Sequence, residues 1–85
     1  MSFYEYMMIR YAGKEGRKSD LANDMEYDKT FPKSVTWQQA DGKRVIRNYL
    51  EYCNACDECL EVFELCWKGY RQCARRNWKN ASSAQ

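Results

Sequence analysis

The chain has 85 residues, 15% of them aromatic, a formal net charge of +2 and no histidine. That length holds one domain with one small core. So modest a charge does not by itself announce a nucleic-acid binder, and with no histidine, no phosphate-cradling glycine loop and no nucleophile beside a base, catalysis has no footing and the chain reads as a non-enzyme.

No apolar run approaches the ~20 residues of a membrane span, and the amino terminus lacks the basic start and apolar core of a secretory signal. The expected compartment is therefore the cytoplasm. Valine and isoleucine are too scarce for a sheet, and glycine and proline are few. This composition favours an all-α fold of four to five helices joined by short polar loops, with a long C-terminal helix.

Ser2 and Glu5 have the spacing of a capping box, so the first helix should open at Phe3. Phe3, Tyr6, Met7 and Tyr11 form its inner face, widened by Tyr4, Met8 and Ile9, with the stem of Arg10 at its edge. Gly13 ends it, and the charged stretch 14–18 reads as a loop. Ser19 is the expected cap of a second helix, with Asp20 favourably placed in its first turn and Leu21, Ala22 and Met25 facing inward.

That helix stops near Tyr27 or Asp28, because the chain must be extended before Pro32. Phe31 should anchor the following turn against the core. Thr36 with Gln39 could form a second capping box opening a turn of helix at Trp37, with a break at Asp41 and Gly42. From Lys43 to Tyr52 the spacing of Val45, Ile46, Tyr49 and Leu50 is amphipathic, which leaves Lys43, Arg44, Arg47 and Asn48 toward solvent.

Asn54 is the expected cap of the last helix. Along it Cys56, Cys59, Leu60, Phe63, Cys66, Trp67, Tyr70, Cys73 and Ala74 fall on one stripe. Gly69 sits within the helix and weakens it slightly, as if to admit another backbone. Asp57, Glu58, Glu61 and Glu64 precede Lys68, Arg71, Arg75, Arg76 and Lys79, an order that suits the helix dipole at both ends. The expected domain covers residues 1–79, followed by a disordered polar tail over 80–85.

Several of these pieces occur together in a known family. Ser2-Phe3-Tyr4-Glu5-Tyr6 with Arg10 and Tyr11, Leu21-Ala22 with Asp28, Phe31-Pro32-Lys33, Tyr49-Leu50-Glu51, and Phe63 with Trp67 and Tyr70 resemble the YozE family in order and approximate spacing. The resemblance covers roughly Ser2 to Tyr70. It implies a bundle similar to sterile alpha motif domains, in a family found chiefly in Gram-positive bacteria, and it supplies no activity. The chain departs from the family pattern in a longer link from Val35 to Arg44 and in a basic extension beyond Tyr70.

Five cysteines, four of them in or at the edge of one helix, read as reduced thiols. Cys53, Cys56 and Cys59 recur every three residues and are the candidates for a metal. A structural zinc takes four ligands, and Cys66 lies ~10 Å further along the helix axis. The expectation is therefore no metal and no cofactor, with small thiols lining the core.

The remaining candidate site is the basic end: Arg71, Arg75, Arg76, Trp78 and Lys79. Its arginines at i and i+4 share a helix face, and Trp78 among them either packs back onto the first helix or is an exposed aromatic contact residue. An acidic set, Asp20, Asp24, Glu26, Asp28, Glu58, Glu61 and Glu64, complements it, and charge of this kind steers protein association. The expected function is a non-catalytic protein-binding module, of the adaptor or inhibitor type carried by mobile elements. A DNA- or RNA-binding regulator using the same basic end is the alternative.

Overall fold

The computed structural model describes the backbone of residues 1–83 and the side chains of residues 1–76. The capping box forms as its spacing predicts: Glu5 N–H donates to Ser2 Oγ at 3.1 Å, and Ser2 N–H to Glu5 Oε1 at 3.0 Å. It opens α1 at Phe3–Arg10. The bond from the Ser2 N–H, and after it the Ser2 side chain, hold the Glu5 carboxyl below the ordinary value. Phe3, Tyr6 and Met7 are buried and Tyr4 and Met8 half-buried, whereas Ile9, assigned to the inner face, is 70% exposed.

Helix α2 spans Arg17–Tyr27, so it begins two residues before the expected Ser19 cap. Gly16 takes the N-cap position with φ 108°, a backbone conformation that glycine reaches without a Cβ penalty. Ser19 instead lies inside the helix and is buried, with Leu21, Ala22 and Met25. The chain leaves the helix at Asp28, and Phe31 is buried as an anchor ringed by Tyr4 and Tyr49.

The expected helical turn at Trp37 does not form. Thr36 N–H does bond Gln39 Oε1 at 2.8 Å and Gln39 N–H bonds Thr36 O at 3.2 Å, but the next backbone bond, Gly42 N–H to Gln39 O at 3.1 Å, leads into α3 and the segment stays a turn. Val35 C=O accepts from Phe3 N–H at 3.0 Å and Trp37 N–H donates to the Tyr70 hydroxyl at 3.0 Å. The result is a pinned turn rather than a helix, and the described residues contain four helices.

Helix α3 spans Gly42–Tyr52. Asp41 sits at its N-cap position without a side-chain cap bond and is 3.7 Å from Arg44. Gly42 is needed because the turn lies on it: a Cβ there would meet Thr36 O at 2.7 Å and Val35 Cγ1 at 3.1 Å. The first of these is backbone and cannot swing away. For Gly42→Ala, overpacking of ~1–3 kcal/mol outweighs the helix-propensity gain of at most ~1 kcal/mol, so a net loss near 1 kcal/mol is expected in urea unfolding. A neutral or stabilising result would refute the close approach.

Asn54 closes α3 instead of opening the next helix. It has φ 63°, its N–H bonds Glu51 O, and Ala55 N–H bonds Leu50 O, both at 3.0 Å. These are the two bonds of a Schellman ending, and asparagine tolerates the left-handed conformation it requires.

Helix α4 then spans Asp57–Ser83, its first bond running from Leu60 N–H to Cys56 O. The boundary expected at residue 79 between domain and tail falls within this helix, and residues 84–85 lie outside the described ones.

Phe3 stands at the centre, its ring 5.5 Å from Phe63, 5.3 Å from Trp67 and 5.6 Å from Tyr70, so α1 is fastened to α4 by aromatic rings. Val62 is also buried, although it lies off the expected stripe. Gly69 faces the Tyr6 hydroxyl, 3.0 Å from where its Cβ would be; a side chain makes the approach, not a backbone.

Candidate partner-binding groove

Packing of α3 against the middle of α4 leaves an open groove of about 570 Å³, lined by Lys43, Glu64, Leu65, Trp67, Lys68, Arg71, Gln72 and Arg75. Glu64 is its only carboxylate and is held from both sides, by Lys43 Nζ at 2.6 Å and Arg47 Nη1 at 2.7 Å. Arg47 also reaches Glu51 at 3.2 Å, so it is not turned simply to solvent. Such half-exposed pairs contribute little stability, but they neutralise one end of the groove.

Beyond Glu64 the charges change. Lys68, Arg71 and Arg75 are exposed and form no ion pair among the described residues. Spaced at three and four, they run as one row over ~10 Å of helix. Leu65 lies beside the row and is 58% exposed, while Trp67 is buried and offers only an edge. The lining thus combines four cations, one neutralised carboxylate and an apolar foot.

Of the residues singled out in the basic end, the structure brings Arg71 and Arg75 into this groove. Arg76 is exposed but outside the lining, and Trp78 and Lys79 lie outside the described side chains. Sequence reasoning did not find Lys43 and Leu65. Lys43 reaches the groove only through the packing of α3 on α4; Leu65 shows a detectable signal, a leucine off the buried stripe.

The acidic set does not form one surface. Asp20, Asp24 and Glu58 share a smaller groove between α2 and the start of α4, where Arg17 pairs with Glu58 at 3.1 Å. Asp28 is occupied by hydrogen bonds from Tyr49 and from the backbone and hydroxyl of Thr30, which hold its carboxyl below the ordinary range. The same bond to Asp28 pushes the Tyr49 phenol up to about 12. Glu61 and Glu64 line a separate recess with Asp57 and Arg47.

The thiols also divide. Cys66 is buried, Cys59 and Cys73 are half-buried, and Cys53 and Cys56 are exposed, so the core-lining expectation fails for the last two. Cys53 is carried outward by the Schellman turn and Cys56 by the first turn of α4. Among the described residues no three His, Cys, Asp or Glu side chains are grouped so as to hold a metal ion.

Burial pushes the Cys66 thiol up to about 11. Iodoacetamide at about pH 8 should therefore alkylate Cys53 and Cys56 in the folded protein and Cys66 only after unfolding. Peptide mass mapping checks this, and early labelling of Cys66 would contradict the packing of α4.

No helix among the described residues is long and apolar enough to cross a membrane. A family model described as the YozE SAM-like fold matches residues 2–72. It covers the four-helix core and ends within the basic row, between Arg71 and Arg75. No curated protein and no solved structure shows a significant match to the chain.

Proposed function

We propose that this chain, which belongs to the YozE SAM-like fold family, is a non-catalytic binding module that engages a protein partner through the groove between α3 and α4, in the cytoplasm. The observation that carries the reading is the row Lys68, Arg71 and Arg75, left without ion pairs among the described residues beside an exposed Leu65. The row stands in the interior of α4, which runs on to Ser83, so the helix dipole, felt mainly within the last turn, does not account for these charges, nor for an apolar side chain displayed next to them. Cations beside an apolar contact match the surface of a protein, where charge steers the encounter and buried apolar area holds the complex.

The test is site-specific photo-crosslinking in the organism's own cells, with benzoylphenylalanine at Gln72 in the groove or at Tyr27, which is 83% exposed and outside it. Protein adducts are expected from position 72, falling roughly tenfold when Arg71 and Arg75 are both changed to glutamate. Arg76→Glu, outside the groove, should leave them nearly unchanged. Equal adducts from position 27, or nucleic acid in place of protein at position 72, would defeat the reading.

A further inference from the structure

We infer that the occupant of the groove is an acidic amphipathic helix, with apolar side chains seated on Leu65 and the Trp67 edge and carboxylates facing Lys68, Arg71 and Arg75. This rests on the binding-module reading and narrows it to one class of partner. From Leu65 to Arg75 the groove follows ~15 Å of α4, about three turns of a helix lying alongside. Residues three and four apart on such a helix present side chains at the axial spacing of the cation row. Acids at those positions meet the row, and the turn before them brings apolar side chains to Leu65.

Two features favour this occupant over a nucleic acid. A phosphodiester backbone gains from each cation it neutralises, and among the described residues the groove lining offers three that are not already paired. Leu65 adds exposed apolar surface beside those cations, and it is covered to advantage only by another apolar group, which a phosphodiester backbone does not supply. Glu64 sets the polarity of the site: it occupies Lys43 and Arg47, which leaves the unpaired cations of the lining on the Arg75 side of Leu65, so the partner's charge lies toward Arg75. Apolar first and acidic after is therefore the order demanded, reading along α4 from Leu65 to Arg75.

The test is a titration of the isotope-labelled full chain, followed by amide NMR, with synthetic helical peptides of about five turns. One peptide carries leucines and glutamates in the required arrangement; a second has the same composition in permuted order. Single-stranded and duplex DNA of comparable length are the other probes. Saturable shifts centred on Leu65, Lys68 and Gln72 are expected with the first peptide.

Binding of the permuted peptide should be about tenfold weaker, and Leu65→Ser should weaken the first peptide by a similar factor. Because Leu65 is exposed, that variant should keep the parent melting temperature. Equal binding of the permuted peptide, tighter binding of either DNA, no saturable peptide binding, or concentration-dependent self-association that fills the groove would each overturn the inference. If position 72 still crosslinks to protein while the peptide fails, only the helix inference falls. If position 72 captures nucleic acid, both fall.

Discussion

Phe3→Ala should lower the unfolding free energy by about 3–5 kcal/mol, the range for emptying a fully buried aromatic site. Phe3 has no exposed surface, and its ring meets those of Phe63, Trp67 and Tyr70 at centroid separations of 5.3–5.6 Å. Alanine removes these ring contacts together and leaves a cavity bounded by α4 on one side and the pinned 35–37 turn on the other. Stability of roughly 0.05–0.15 kcal/mol per residue gives a domain of this size only about 4–13 kcal/mol in all. The loss therefore consumes at least about a quarter of the total and brings the variant much closer to its unfolding threshold. Urea titration followed by circular dichroism measures the loss, with Ile9→Ala, at a 70% exposed site on the same helix, expected within about 0.5 kcal/mol of the parent. A Phe3→Ala protein within 1 kcal/mol of the parent would show that the centre of the core lies elsewhere.

The part of the fold that was legible in sequence is the part governed by neighbours along the chain. Ser2 and Glu5 satisfy each other across three residues, and the amphipathic stretch to Tyr52 carries its own period, so α1 and α3 appear where their residues say. Thr36 and Gln39 have similar spacing, yet the bond from Gln39 N–H to Thr36 O closes a single turn and no helix follows; the Tyr70 hydroxyl and the Phe3 amide hold that turn in place. Asn54 misled for a related reason. Asparagine caps a helix start and tolerates a left-handed helix end equally well, and only the bonds to Leu50 and Glu51 decide between them. At Ser19 a good capping residue lost to Gly16, because the turn entering α2 demands a positive φ.

The groove was half legible. Its cations on α4 follow from the sequence of one helix, since residues at three and four share a face whatever the tertiary fold. Lys43 is more than twenty residues away from them and enters through the packing of α3 on α4, as does the clamp it makes with Arg47 on Glu64. The acidic set shows the converse. Shared charge along two segments grouped those residues in sequence, while packing dispersed them to the α2–α4 groove, to the Tyr49 hydroxyl and to the α3 side of α4. Local periodicity therefore located the row of charges, and tertiary contacts determined which of them remain available to a partner.

Tyr70→Phe should cost about 2 kcal/mol although it removes a single oxygen. The side chain is fully buried, and its hydroxyl accepts from Trp37 N–H at 3.0 Å while donating to Met1 O at 2.8 Å. Burial keeps the phenol's pKa above its ordinary value, so it stays protonated and able to donate across the neutral range. Deleting it leaves two backbone groups unpaired, each worth about 1–3 kcal/mol if sealed from water; both are only partly buried, which brings the sum to the lower end. For a domain of this size that corresponds to a fall in melting temperature of about 10 °C. Because the hydroxyl pins the turn that lies against Gly42, the loosening should also be local, with faster hydrogen exchange at the Trp37 amide than at the α4 amides around Phe63. Tyr27→Phe, at an 83% exposed position, should show neither effect. An unchanged melting temperature together with an unchanged Trp37 exchange rate would mean that the hydroxyl holds nothing, and that the turn beside the groove is fixed by packing alone.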